Sequence, residues 1–205
     1  MFDKNCLINF LLSEIRRGFA LSFILIFLSA RPAFSQELKF DHLSVKQGLS
    51  QGNTLDIIQD KFSFIWIATE DGLNLFDGYH FTIYRNDPSD STSISNNNVY
   101  SISEDKDGNL WVGTQTGLNF YDRSQNKFIR FLNDPKDSNS ISNNTINAVF
   151  FDSKNKLWIG TADGLNQYDP KTNQFIKFFH QPRIPGSLAS SEVRAIMEDH
   201  LNRLW

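Results

Sequence analysis

Cysteine is almost missing from this chain. The single one, Cys6, lies ahead of an apolar run near the N-terminus, so no disulfide can staple the rest of the chain. Long apolar runs are missing too. The longest, Gly18 to Ala30, falls short of the roughly 20 residues that a membrane-spanning helix requires. Beyond residue 35 there is no helical periodicity and no cluster of Lys or Arg, and the whole chain carries a formal net charge of −3. A nucleic-acid partner would need a concentrated positive face, so none is expected. Phosphate-cradling glycine loops, nucleophile elbows and kinase motifs are absent as well. The four histidines, His42, His80, His180 and His200, show no short ligand spacing and have no cysteine to join them. The stretch Asp105-Lys106-Asp107-Gly108-Asn109 lacks the later glutamate of a calcium loop. No catalytic residue, cofactor or metal is therefore expected, and this chain is not read as an enzyme.

What is present begins with an export signal. Arg16-Arg17 precede the apolar run, Arg31-Pro32 break it, and Ala33-Phe34-Ser35 puts small residues at the first and third places. Positive flank, short apolar core and small-x-small site describe a cleavable signal peptide over residues 1–35, in helical form, with an uncleaved anchor as the alternative. Such a signal implies an extracytoplasmic location, most simply a bacterial periplasm.

The rest of the chain is organised by a repeat. Ile65-Trp66-Ile67-Ala68-Thr69-Glu70-Asp71-Gly72-Leu73-Asn74 returns as Leu110-Trp111-Val112-Gly113-Thr114-Gln115-Thr116-Gly117-Leu118-Asn119. It returns again as Leu157-Trp158-Ile159-Gly160-Thr161-Ala162-Asp163-Gly164-Leu165-Asn166, and a fourth copy opens at Leu204-Trp205. The tryptophans stand at 66, 111, 158 and 205, steps of 45, 47 and 47 residues, which is the period of solenoids, propellers and arrays.

Aligned on tryptophan, each copy spells four strands. Runs beginning at Thr54, Val99, Ile146 and Val193 alternate apolar and polar residues, the strand period of two. Each ends in an acid, Asp60, Asp105, Asp152 or Asp199. Ser63, Gly108, Asn155 or Asn202 stands three residues later and, except for the serine, is of a type that tolerates a left-handed backbone. An Asp that opens a turn and a Gly or Asn that closes it describe a tight hairpin into the tryptophan strand. Thr69, Thr114 and Thr161 end that strand, and Gly72, Gly117 and Gly164 mark the next turn. Third and fourth strands come next, the last being Phe81-Thr82-Ile83-Tyr84, Phe128-Ile129-Arg130-Phe131 or Phe175-Ile176-Lys177-Phe178. With 19 Phe, 5 Tyr and 4 Trp, the composition suits pleated, half-buried surfaces.

Four short antiparallel strands joined by tight turns in about 45 residues make a propeller blade. The fold class is all-β, with about three and a half blades in an incomplete ring. Residues 36–53 form a lead-in strand and loop, 54–92 the first blade, 93–139 the second, 140–186 the third and 187–205 the start of a fourth. Polar segments such as Asn86-Asp87-Pro88-Ser89-Asp90-Ser91 connect the blades. Three blades and a fraction do not close a ring, so a chain ending at Trp205 reads as the N-terminal fragment of something longer.

The sequence resembles the two-component-regulator propeller repeat. The residues that carry the resemblance are Asn98-Val99-Tyr100-Ser101-Ile102-Ser103-Glu104-Asp105, then Gly108-Asn109-Leu110-Trp111-Val112-Gly113-Thr114, then Gly117-Leu118-Asn119-Phe120-Tyr121-Asp122. The first copy departs most, with Thr54, Ser63 and Ala68 in place of Val99, Gly108 and Gly113. Phe40-Asp41-His42-Leu43 with Gln47-Gly48-Leu49-Ser50 looks like the family's lead-in, which supplies a closing strand to the last blade. The resemblance implies the periplasmic sensor of an inner-membrane hybrid histidine kinase, which works as a homodimer and meets the membrane through regions beyond this chain. It also implies an oligosaccharide or other small ligand for the complete propeller. Alternative outputs are a diguanylate cyclase or a DNA-binding regulator, and a secreted propeller enzyme such as a polysaccharide lyase is a further alternative.

Within the repeat, the tryptophans and the Asp60, Asp105, Asp152 and Asp199 set occupy constant positions. That assigns them to blade packing and turn bonding rather than chemistry. Candidate ligand-binding residues are the ones that vary between copies, in the turn after the tryptophan strand: Glu70, Asp71, Gln115, Thr116, Ala162 and Asp163.

Overall fold

The structure, a computed structural model, describes residues 38–205. The signal segment and Cys6 lie outside the described residues. Three four-stranded antiparallel sheets succeed one another along the chain, each a meander in sequence order. The first contains β1 (Thr54–Gln59), β2 (Ile65–Thr69), β3 (Gly72–Phe76) and β4 (Phe81–Tyr84). The second contains β5 (Val99–Glu104), β6 (Leu110–Thr114), β7 (Gly117–Asp122) and β8 (Lys127–Phe131). The third contains β9 (Ile146–Phe151), β10 (Leu157–Thr161), β11 (Gly164–Asp169) and β12 (Gln174–Phe178). The strand starts at Thr54, Val99 and Ile146 are those set by the alternation in the sequence.

The turns obey the local chemistry. Ser63, Asn155 and Asn202 have positive φ of 70°, 58° and 58°, and Gly108 has 86°, so each closes its hairpin in the left-handed region. Asp60 Oδ1 accepts the amides of Phe62 and Phe64, and Asp152 and Asp199 do the same for their own turns. These side-chain-to-backbone bonds hold each acid at the end of its strand.

The core lies between blades rather than within them. One buried cluster joins Trp66, Ala68 and Leu73 of the first blade to Val99, Ile102, Leu110, Val112 and Tyr121 of the second. The next joins Trp111 and Leu118 to Ile146, Val149, Leu157, Ile159 and Phe175 of the third. Strands β6 and β10 carry glycine where the first residue of the next copy, Ile146 or Val193, presses in. A Cβ on Gly113 would lie 2.7 Å from Ile146 Cγ2 and 3.1 Å from the Ile146 carbonyl oxygen. One on Gly160 would lie 2.7 Å from Val193 Cγ1. Ala68 holds this place in the first blade, opposite the smaller Val99.

The connecting segments are more than crossovers. Ile94 and Ile141 are fully buried in the two interblade clusters, although they sit in stretches that read as polar. Each connector also clips onto the outer strand of the blade it enters, where Phe128 N–H donates to Thr92 O and Phe175 N–H to Asn139 O.

Two expectations differ from the structure. Residues 38–53, where a lead-in strand is expected, hold a single 3-10 turn, Val45–Gln47, and no strand. In the fourth copy, Val193 to Ile196 form no strand, and pairing is confined to Met197 with Trp205 and Glu198 with Leu204. Alternating sequence becomes strand only where a neighbour offers a ladder, and neither segment is paired with another strand among the described residues.

Candidate functional site

The six candidate residues lie on the β2–β3, β6–β7 and β10–β11 turns, and a buried polar network shapes all three turns. Thr69 Oγ1 donates to Gly72 O at 2.8 Å and accepts the Asp71 amide at 3.1 Å. Thr114 and Thr161 do the same for Thr116 and Asp163. Behind each turn an asparagine of the third strand, Asn74, Asn119 or Asn166, is fully buried. Its Oδ1 accepts the amide of Ser50, Ser95 or Ser142 at 2.9 Å, and its Nδ2 donates back to that serine's hydroxyl. The serine hydroxyl meets the threonine hydroxyl at 2.8–3.0 Å, closing a Ser–Thr–Asn triangle in every blade. The triangle couples the entrance of the blade to its central turn. Sequence reading missed it because serine and asparagine stand 24 residues apart; the same spacing in all three copies was the available signal.

The variable residues project from this frame. Glu70, Gln115, Thr116 and Asp163 are exposed, while Asp71 and Ala162 are half-buried. Glu70 exchanges hydrogen bonds with Gln51, and Gln115 accepts Asn98 Nδ2 at 2.8 Å. Neighbouring blades meet here: Gly72 N–H donates to Asn97 O, and Thr145 Oγ1 donates to the Gln115 carbonyl. Asp71 is held by a bidentate Arg85, Nε to Oδ1 at 3.1 Å and Nη2 to Oδ2 at 2.8 Å. That hydrogen bonding keeps its carboxyl below the ordinary value. Among the described residues no hydrogen bond links the variable side chains of one turn to those of the next. The structure thus puts the candidates at equivalent corners of successive blades without merging them into one pocket.

At the opposite ends of the tryptophan strands a second recurrent arrangement appears. The indole Nε1 of Trp66 donates to Asp60 Oδ2 at 2.7 Å, that of Trp158 to Asp152 at 2.9 Å and that of Trp205 to Asp199 at 2.9 Å. Burial works against the ionised form of Asp60, but the Trp66 indole, the Arg123 guanidinium and the Phe64 amide outweigh it and hold the carboxyl low. The Trp205 indole leads the groups that bring Asp199 down to about 2. In three of the four copies the constant tryptophan is thus tied to the constant aspartate, a link that neither residue's own repeat position announces. Among the described residues no group of three or more His, Cys, Asp or Glu is placed to hold a metal ion.

The comparisons with known proteins agree with this anatomy. The two-component regulator propeller family model matches residues 93–116 and 140–163, which run from the triangle's serine region through the tryptophan strand to its turn. Histidine kinase P4 of Formosa agariphila is 49% identical over 74 residues, 36% of this chain and 5% of that protein. The extracellular domain of a hybrid two component system of B. thetaiotaomicron superposes with a TM-score of 0.72 at 31% identity, covering 80% of this chain and 23% of that one. A second such extracellular domain from the same organism gives 0.69 at 25% identity, covering 83% and 22%. The chain therefore spans under a quarter of the length of each of these relatives. Residues 93–116 and 140–163 therefore match the two-component regulator propeller repeat, and the fold is similar to the propellers of those extracellular domains.

Proposed function

We propose that this chain is part of a non-catalytic sensing propeller on the extracytoplasmic side of a transmembrane signalling receptor, with a histidine kinase as the output. The observation that supports this best is the division of labour within each blade. The constant residues are taken up by the Ser–Thr–Asn triangle and, in every copy but the second, by the Asp–Trp link, whereas the varying turn residues present different side chains at one edge of the array. A recognition surface is built in this way, with a fixed frame and interchangeable tips. Likeness to extracellular domains of hybrid two component systems supports the location, and likeness to a histidine kinase supports the output. The ligand in this reading is an oligosaccharide or other small polar molecule, met by turn side chains such as Glu70, Gln115 and Asp163.

The test is made in the full-length receptor that contains this chain. Glu70→Ala, Gln115→Ala and Asp163→Ala together should abolish ligand-dependent phosphorylation across a panel of soluble oligosaccharides while leaving basal phosphorylation and expression unchanged. An unaltered ligand response would remove the turns from the recognition surface.

A further inference from the structure

The groove between the first and second blades is plugged by an arginine, and the equivalent groove between the second and third is empty. In the first, Arg123 comes from the β7–β8 turn of the second blade. Its Nη2 donates to Asp60 Oδ2 at 2.8 Å and its Nε to the Gly108 carbonyl at 2.7 Å. Its guanidinium lies 5.0 Å from the ring centre of Phe62 and 5.5 Å from that of Trp66. Glu104 stands 3.8 Å away and adds a second carboxylate. Beneath this cation Trp66 is fully buried and Asp60 is 4% exposed.

One repeat later the aspartate, the tryptophan and the neighbouring tyrosine persist without the guanidinium, and Asp107 stands in the place of Phe62. Asp105 replaces Asp60, Trp111 replaces Trp66, and Tyr168 replaces Tyr121. The position of Arg123 is taken by Pro170, and that of Glu104 by Phe151. Proline brings no guanidinium to fill the groove, and what remains is a cavity of about 500 Å³ lined by Asp105, Trp111, Phe151, Tyr168 and Pro170. It continues along Phe120 and Phe131 into a second hollow that shares Asp105, Trp111, Tyr168 and Pro170.

The polar groups of this cavity are also left without their usual partners. Asp105 Oδ2 accepts only Asn109 Nδ2, at 2.9 Å, and among the described residues it has no ion pair. The Trp111 indole N–H, unlike its three counterparts, donates to no atom of the described residues. Trp111 is 6% exposed, on an aromatic wall with Phe131 stacked at 5.5 Å and Tyr168 tilted at 5.0 Å. Three carboxylates, Asp105, Asp107 and Asp169, face the cavity against two amines, Lys106 and Lys156. Lys106 stands 3.9 Å from Asp107, and Asp169 is taken up by its own turn, accepting the Lys171 amide and the Thr172 hydroxyl.

We infer that the groove between the second and third blades binds a small ligand bearing a planar guanidinium group, seated against Trp111 with Asp105 as its counter-ion. The chain supplies the precedent, since Arg123 shows how this groove receives a guanidinium when one is tethered in place. A planar cation suits the site because it donates in the plane to carboxylate and carbonyl while its face rests on aromatic rings. This binding does not depend on the signalling role proposed above, so failure of one leaves the other standing.

Agmatine is the probe, with calorimetry and the melting temperature of the full chain as readouts. One molecule should bind and raise the melting temperature, and Asp105→Asn should weaken it by at least about tenfold by removing the charge-assisted bond. Pro170→Arg should place a tethered guanidinium in the groove. The two turns share their backbone, with Asn126 and Asn173 at φ of 54° and 56°, so the new side chain starts from the same place as Arg123. That variant should melt higher than the parent and no longer bind agmatine. Conversely, Arg123→Ala should lower the melting temperature and gain a second agmatine site that restores it. The inference is overturned if agmatine up to about 10 mM fails to bind the parent chain, the range of a weak small-ligand site. It is equally overturned if binding persists unchanged in Pro170→Arg, or if glucose binds this groove and agmatine does not.

Discussion

Trp66 Nε1 lies 2.7 Å from Asp60 Oδ2, so the first hairpin is locked by its own strand residue. The aspartate directly follows β1, the indole rises from β2, and the turn between them is spanned by the same carboxylate through Phe62 N and Phe64 N. One side chain therefore fixes the hairpin's register and seats the largest residue of the interblade core.

Asp60→Ala should be among the costliest single changes in the first blade, about 3 kcal/mol, because it strands a buried indole donor and the Arg123 guanidinium together. Asp105→Ala should cost closer to about 1 kcal/mol, since that carboxylate serves chiefly its own turn. Urea unfolding of the two variants against the parent checks the difference.

Acid should destabilise the fold through these same carboxylates. Asp60, Asp152 and Asp199 all have folded values below the 3.8 of a free aspartate. The folded state then binds fewer protons than the unfolded one at low pH, so stability is full above about pH 4 and is lost as pH falls through the folded values. Asp60→Asn should flatten that acid limb, which melting curves between neutral pH and about pH 2 would show.

Gly113→Ala should destabilise by about 1–3 kcal/mol through overpacking against Ile146. The Ile146 carbonyl at 3.1 Å is backbone and cannot swing aside. Ile146→Val in the same chain should recover part of the loss, reproducing the Ala68 and Val99 pairing of the first blade. A double-mutant cycle with no coupling between the two positions would contradict the close-approach account.

Asn119→Ala should cost about 2–3 kcal/mol by leaving the Ser95 amide and hydroxyl without their partner in a buried triangle. Thr116→Ala, two residues from the triangle's threonine but exposed, should shift stability by less than about 0.5 kcal/mol. Chemical denaturation of the pair separates frame from tip.

Much of this anatomy is local and therefore legible in the chain. Strand alternation from Val99, the aspartate at 105, the left-handed closure at Gly108 and the glycine after Gln115 and Thr116 each depend on neighbours a few residues away. Hydrogen bonding within a hairpin depends on residue type at fixed offsets, which a repeat displays several times over. The buried Ile94 and Ile141 were hidden because their flanks are polar and only the adjacent blades make those sites dry. The Ser–Thr–Asn triangle was hidden for a related reason, its members being joined by a blade entrance folding back over a central strand.

The sequence by itself determined the blade, its period, its turns and the interchangeable tips, because those arise from local backbone preference and hydrophobic alternation. Tertiary structure alone decided how one blade's side chains complete the next. Arg123 reads as an ordinary turn residue until the blades are stacked, when its guanidinium reaches Asp60 across 63 positions of chain. Pro170 reads as an ordinary turn proline until the same stacking leaves Trp111 facing an open cavity. Interblade contacts depend on distances between groups far apart in the chain, and only the packed array brings those groups together.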